Sequence, residues 1–521
     1  MADPAVDSSH TGAPVESDAP VPAELLDAFW RYERALMADD VPTLDLLFED
    51  SPHTLRGDAG GLLVSHERIA AFRRGRGGAP KRRVDSVHVR VLTPELAAVI
   101  AILHPAAGGR GQQTQVWRRG PDGWRVLAAH VSGASPAVDS RIWRLVGTPL
   151  VDPTGNGDLA GETLAVKDLF DIAGQKVGGG VPDYLTAAAS AATTAPALAA
   201  LLAAGAAVTG IARTDEFAYS IAGVNPHYGT PPNAAVPGAI PGGSSSGPAS
   251  AVALGQATIG LATDTAGSIR VPASYQGLWG LRTTHGAVPV DGVLPLAPSF
   301  DTVGWMTRDL ATLLRVARVA LPSDSASFPT GIAVAPALLA TLDEEVRTAF
   351  WAGLDELVRE GRLPDPVEVP LLDVADTFTA FRTVQAAEAW RAHGPWLTEH
   401  PGAVSGAVAS RFALAAAVTE EQESAARVIV AAERAKLRDL LSAHILLLPA
   451  AASAAPQTTA DPALIDRIRA QTLQLTCFAG VAGAPSLSAP LLTVDGAPLG
   501  FGILSPPGTD LALLDFAGTL L

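Results

Sequence analysis

A serine- and glycine-rich stretch wedged between apolar elements constrains this chain most tightly. Pro241-Gly-Gly-Ser-Ser-Ser-Gly-Pro248, standing alone, would suit a flexible linker. Here a helix-compatible run from Pro248 to Gly255 follows at once, and then a buried-strand pattern, Ile259-Gly-Leu-Ala-Thr263. The loop is therefore pinned inside a packed layer. A second small-residue stretch continues from that strand, Thr263-Asp-Thr-Ala-Gly-Ser268-Ile-Arg270-Val-Pro272, so that Ser244 and Ser268 lie 24 residues apart.

Strand and helix patterns alternate around this pair. Ala195–Ala206 reads as a helix, Ala207–Ala212 as a buried strand, Asp309–Leu321, Glu344–Gly361 and Glu420–Ser442 as helices, and Ile445–Pro449 as a strand. Such alternation predicts an α/β layer whose sheet is covered on both faces. The N-terminal part reads differently. Leu25, Phe29, Tyr32 and Leu36 place one apolar stripe on a helix, and Val41–Phe48 reads as a second, short helix. Four alternating runs then start at Val84, Leu96, Gln113 and Trp124, the last two joined by the turn Arg119-Gly-Pro-Asp-Gly123. Helices followed by a curved antiparallel sheet predict a cone-shaped α+β domain over residues 21–132. Residues 1–20 read as a disordered tail, 133–150 as a linker and 151–521 as the larger domain.

The chemistry-bearing residues sit in that larger domain. Serine hydroxyl is a weak nucleophile that needs a base. The histidines come with no G-x-S-x-G turn. Lysine serves instead when it is neutral, and burial favours the neutral amine. Lys167 ends the apolar run Thr163-Leu-Ala-Val. Lysine otherwise occurs only at Lys81, Lys176 and Lys436, in a chain that habitually uses arginine, which cannot act as a base. The backbone N–H groups of Thr265, Ala266, Gly267 and Ser268 are candidates for an oxyanion hole. Gly242 and Gly243 allow close substrate approach. Asp264 and Arg270 read as a structural ion pair that holds the loop, and Tyr219 as core or pocket wall.

These stretches resemble the amidase signature family. The likeness is dense from Leu164 to about Arg308, through Val166-Lys-Asp-Leu-Phe-Asp-Ile, Asp215-Glu-Phe-Ala-Tyr-Ser, His227-Tyr-Gly-Thr-Pro, the two serine stretches and Ser299-Phe-Asp-Thr-Val-Gly-Trp. Several runs look closest to short amidases of the indole-3-acetamide hydrolase type. The resemblance implies a Ser–cis-Ser–Lys triad, with Ser268 as acyl-forming nucleophile, Ser244 as relay and Lys167 as base, and it implies no metal or organic cofactor. Ala266 stands where the family usually has glycine. A positive φ there would cost a methyl-bearing residue roughly 1–2 kcal/mol. Gln276 and Arg282 also depart from the usual pattern. The first 135 residues resemble NTF2/SnoaL-type domains, similar to small domains found with amidases of cyanuric-acid breakdown. That cone offers Tyr32, His53, Arg56, Trp117 and His130 as wall candidates, or else serves as a dimerisation module.

The expected reaction is cleavage of a linear carboxamide to ammonia and a carboxylate, with a small-molecule amide as substrate. An amidase fold that binds without turnover is the alternative. An amidotransferase subunit acting on charged RNA is disfavoured, because a net charge of −16 repels nucleic acid and anionic membrane alike. The N-terminus lacks the basic and apolar segments of a signal peptide, and a single cysteine, Cys477, precludes an internal disulfide. A cytoplasmic homo-oligomer, most simply a dimer, is expected.

Overall fold

The computed structural model describes residues 13–58, 61–75, 78–79, 81–105, 111–132, 138–370 and 373–521. The chain divides into two compact units, Met1–Val138 and Asp139–Leu521.

In the first unit, β1 (Val15–Ser17) precedes α1 (Ala23–Ala38), α2 (Val41–Leu47), β2 (Leu55–Asp58), β3 (Gly61–Val64) and α3 (His66–Gly75). Four long strands follow: β4 (Arg82–Thr93), β5 (Leu96–Pro105), β6 (Gly111–Gly120) and β7 (Gly123–Ser132). They form one sheet in the order β1-β4-β5-β6-β7-β2-β3. The stripe Leu25, Phe29, Tyr32 and Leu36 is buried against it, as its spacing predicts. The inward face is partly polar. Glu33, Gln113 and Gln115 are buried, and Glu33 is held by the Arg82 guanidinium and the Gln113 amide at 3.0 and 2.8 Å. Of the expected wall residues, Tyr32, Arg56 and Trp117 are buried, whereas His53 and His130 are exposed. The expected tail is corrected at its end: Pro14 and Val15–Ser17 pair with β4, because the strand edge there offers free backbone groups. Residues 1–12, where the rest of that expectation falls, lie outside the described residues.

The second unit is built on an eleven-stranded sheet. Its strands are β8 (Trp143–Val151), β9 (Thr163–Lys167), β10 (Ala207–Ala212), β11 (Ile259–Asp264), β12 (Trp279–Arg282), β13 (Thr302–Thr307), β14 (Gly331–Val334), β15 (Val367–Glu368), β16 (His444–Pro449), β17 (Ser486–Val494) and β18 (Ala497–Leu504). Their order is β15-β14-β16-β18-β17-β12-β13-β11-β9-β10-β8. The helices are α4 (Pro182–Ala187), α5 (Pro196–Ala203), α6 (Ser246–Ala253), α7 (Arg270–Gln276), α8 (Leu310–Ala320), α9 (Pro336–Leu339), α10 (Glu344–Arg359), α11 (Val374–Glu399), α12 (Gly406–Ala416), α13 (Glu420–Ala443), α14 (Pro462–Ala482) and α15 (Asp510–Gly518). The sheet is mixed, and β9 lies parallel to both β10 and β11.

The expected linker needs correction. Residues 133–137 lie outside the described residues, but 143–151 form β8, antiparallel to β10 at the sheet edge. Ile142 and Trp143 are buried there, and the Trp143 indole N–H donates to Gln256 at 2.6 Å. Apolar anchors of this kind, beside Gly, Ser and Pro, turn a linker-like composition into an edge strand. Among the described residues, no helix is long and apolar enough to cross a membrane.

Candidate active site

Three parallel strands end at the site. Open α/β sheets characteristically bind ligands at the carboxyl ends of their strands. β9 delivers Lys167, β10 leads to Thr214 and Asp215, and β11 leads through Asp264 to Ser268. Leu164, Ala165 and Val166 are fully buried, so Lys167 enters a dry environment and is itself fully buried. Its Nζ lies 2.9 Å from Ser244 Oγ and 2.9 Å from Thr263 Oγ1. Burial brings its pKa down to about 7, against the opposing pull of Asp215, Asp264 and Asp301.

Ser244 follows a cis peptide bond from Gly243. Its carbonyl accepts from Thr214 Oγ1 at 2.9 Å and from the Asp215 amide at 3.3 Å. The Gly243 amide donates to Ile221 and is therefore committed to the fold. A Cβ on Gly243 would stand 2.5 Å from the Gly223 nitrogen and 2.7 Å from the Asp215 carboxylate, so only glycine fits. The next residue, Ser245, donates from its amide to the Ser268 carbonyl at 3.4 Å, which ties the two serine stretches together. Ser268 is 4% exposed.

Asp264 organises the turn that carries Ser268. Its carboxylate accepts from the amides of Gly267, Ile269 and Arg270 at 2.8, 3.1 and 3.3 Å. The Arg270 guanidinium adds bonds at 3.1 and 2.9 Å, and Arg282 approaches at 3.3 Å. Burial alone would raise the Asp264 pKa, but the two arginines and these amides hold it well below the usual carboxylate range. The expected ion pair with Arg270 is thus present, as the core of a larger cluster. Arg282 extends the cluster, bonding the carbonyls of Asp264 and Phe300, and burial lowers its pKa to about 10. Gln276 bonds the Pro241 carbonyl at 3.2 Å. Both departures from the family pattern therefore support the serine loops.

Two expectations about this turn change. The glycine-demanding position is Gly267, at φ 125°, whereas Ala266 is absent from the described residues of positive φ, so its methyl costs no left-handed strain. The Gly267 amide is occupied by Asp264, which withdraws it from the expected oxyanion donors. Thr265 is held by Asp301, its hydroxyl donating at 2.6 Å, and the Ala266 carbonyl accepts from Thr476 Oγ1. Asp301 in turn accepts from the amides of Leu296 and Ala297.

One cavity borders these residues, and a second lies at Tyr219. The first, of about 230 Å³, is lined by Ala218, Thr263, Thr265 and Asp301 among mostly apolar neighbours. The other, of about 200 Å³, contains Tyr219. Ala218 and Tyr219 are consecutive, so one segment walls both, and Phe217 and Ala218 hold positive φ values of 46° and 56°. Strained backbone of this kind persists where surrounding structure imposes it, commonly at functional sites. Gly242 lies at φ 75° against Pro272.

Comparison with known proteins then decides the family. The amidase family model matches residues 153–514, more than half of the chain. The chain belongs to the amidase family. It is a hydrolase that acts on carbon–nitrogen bonds. An AtzH-like model matches residues 15–136 of this amidase. Amidase 1 of Oryza sativa subsp. japonica is 36% identical over 394 residues, covering 70% of this chain and 90% of the relative. The 2-amino-5-chloromuconic acid deaminase of Comamonas testosteroni is 31% identical over 69% of this chain and 81% of that protein. Among solved structures, one described as the crystal structure of amidase gives TM-score 0.62 at 30% identity, covering 70% of this chain and 85% of the other. A protein from a vestigial complex linked to the origins of an s-triazine catabolic enzyme gives TM-score 0.63 at 27% identity, over 70% and 84%.

Sequence reasoning singled out Lys167, Ser244 and Ser268, and the structure brings Lys167 and Ser244 within hydrogen-bond distance and ties the Ser268 backbone to Ser245, the neighbour of Ser244. It missed Thr263 as a lysine partner, Asp301 as the clamp on Thr265, and Asp215 under the Ser244 carbonyl. All three lie in stretches quoted for their likeness, where a buried polar residue beside a strand end is the available signal.

Proposed function

We propose that this amidase cleaves a linear carboxamide through an acyl-enzyme on Ser268. The observation that carries the reading is the 2.9 Å contact between the buried Lys167 amine and Ser244 Oγ. An amine with a pKa of about 7 is substantially neutral at physiological pH and offers a lone pair to the Ser244 hydroxyl. Ser244 passes its proton to Lys167 and takes the Ser268 proton as Ser268 Oγ attacks the amide carbon. The C–N bond of the tetrahedral adduct then breaks, and the lysine proton returns through Ser244 to the departing nitrogen, giving ammonia. Water attacks the ester by the same route in reverse and releases the carboxylate. The amides of Ala266 and Ser268 are the proposed oxyanion donors, each worth about 3–4 kcal/mol of transition-state stabilisation. The Asp264 cluster fixes their direction before substrate arrives.

The test is ammonia release from a panel of small amides, with mass-spectrometric mapping of fluorophosphonate label. Labelling of Ser268, lost in Ser268→Ala together with turnover, is expected. Labelling elsewhere, or ammonia release that survives Ser268→Ala, refutes the assignment. We also propose that the chain self-associates through its N-terminal unit, the separate AtzH-like part of the chain. Light scattering on the full chain should give a mass above one chain, and a monomer refutes it.

A further inference from the structure

The cavity beside Tyr219 gathers three guanidinium groups from three helices: Arg382 of α11, Arg411 of α12 and Arg469 of α14. Arg411 is held in place by a 2.8 Å bond to the Tyr219 carbonyl. The Arg469 Nε is buried and has no hydrogen-bond partner. The carboxylates that act on the group are Asp466, toward Arg411 and Arg469, and Asp215, toward Arg411, and neither comes within ion-pair distance among the described residues. Burial and the two neighbouring arginines press the Arg469 pKa down to about 9. Like charges crowded at a half-buried site cost stability unless a counter-charge arrives. In a chain of net charge −16 an anion would otherwise be repelled, so a local basic pocket has to supply the attraction.

The pocket is also connected to the serines. Arg469, Leu473 and Thr476 recur at i, i+4 and i+7, one face of α14. Thr476 bonds the Ala266 carbonyl, two residues before Ser268, and at 1.5 Å per residue Arg469 lies about 10 Å along the helix from that contact. From the other side, Tyr219 stands two residues from Ile221, whose carbonyl holds the amide of Gly243, next to Ser244.

We propose that this cavity is a carboxylate subsite, and that the substrate is a small amide whose far end is a carboxylate seated on Arg411 and Arg469. The planar guanidinium fork matches a carboxylate in bidentate fashion. With Arg469 and the Thr476 contact about 10 Å apart along α14, the proposal takes a spacer of only a few atoms between the carboxylate and the scissile amide. The proposal rests on the hydrolytic reading above.

The experiment compares ammonia release by the full chain from succinamate and glutaramate with that from butyramide and valeramide. The acid amides should be favoured in kcat/KM by at least about tenfold, the range of a charge-assisted hydrogen bond. Arg469→Met and Arg411→Met should collapse that preference chiefly through KM, and Arg469→Lys should restore part of it. In parallel, calorimetry measures glutarate binding to Ser268→Ala, with and without Arg469→Met. Equal turnover of acid and neutral amides overturns the subsite and leaves hydrolysis standing, as does a preference that survives both Met variants. Arginine-dependent glutarate binding in a protein that releases no ammonia from any amide upholds the subsite and overturns hydrolysis.

Discussion

Replacing Lys167 by methionine tests the base and its environment together. Burial moves this amine from an ordinary pKa of 10.5 to about 7, against attraction from Asp215, Asp264 and Asp301. At about 1.4 kcal/mol per pH unit the gap corresponds to about 5 kcal/mol. The folded state gives up the proton near pH 7 and the unfolded chain near 10.5, so between these values the unfolded state binds more protons and stability rises with pH. Below pH 7 the full penalty of the buried charge is present, and above 10.5 it is gone. Methionine removes that penalty but also removes the bonds to Ser244 and Thr263, about 1 kcal/mol each. Lys167→Met should therefore be more stable than wild type by about 3 kcal/mol at pH 6, and the difference should vanish near pH 9. Urea unfolding followed by circular dichroism at pH 6, 7, 8 and 9 measures it. The variant should release no ammonia, while wild-type kcat/KM should rise with pH through about 7 and then level off. A stability difference that stays flat across this range would refute a buried, proton-losing lysine, and an activity profile identical in the two proteins would refute its role as base.

Other substitutions probe the scaffold. Asp264→Asn leaves Arg270 and Arg282 buried without their counter-charge and should cost about 3–5 kcal/mol in urea midpoint analysis; a loss under about 1 kcal/mol would show that the cluster is not held by charge. Gly267→Ala meets a φ of 125° and a Cβ 3.1 Å from Thr476 Oγ1, so stability should fall by at least about 1–2 kcal/mol and ammonia release with it, and an unimpaired variant would refute the strained turn. Thr263→Val removes an acceptor from the lysine ammonium, which disfavours the charged form and should shift the acid limb of the pH–rate profile to lower pH; a shift upward contradicts the contact. Trp143→Ala should destabilise the second unit by about 3 kcal/mol in thermal unfolding if β8 belongs to its sheet, and a neutral result would return residues 143–151 to linker status.

What could be seen in the sequence was what is local in the chain. Lys167 shows as a rare lysine on an apolar strand, and the serine loops show because small residues cluster between a helix and a strand. The helix at Pro248 was legible too, although α6 begins two residues earlier, at Ser246. Three things were hidden for a common reason, that they depend on contacts between distant segments. β8 looks like a linker because Gly and Pro surround the Trp143 anchor. Gly267, not Ala266, carries the positive φ because Asp264 turns back to bind its amide, a bond that no spacing rule encodes. Arg382, Arg411 and Arg469 belong to three helices, and none of them is unusual in its own helix. The exposure of His53 and His130 was not legible either, because polar, aromatic residues near a sheet give no sign of how deep they sit.

The division between β9–α7 and α11–α14 has a consequence for how such an enzyme diversifies. Lys167, Ser244, Asp264 and Ser268 come from one continuous third of the second unit, whereas the arginines come from a later stretch that touches the serine turn chiefly at Thr476. On the proposed subsite, substitutions in the later helices alter which molecule is admitted while leaving the lysine and the serine turn in place, with Asp215 as the charge shared between Arg411 and Lys167. Selection for what is bound at that pocket and selection for the chemistry would then fall on largely separate stretches of the gene.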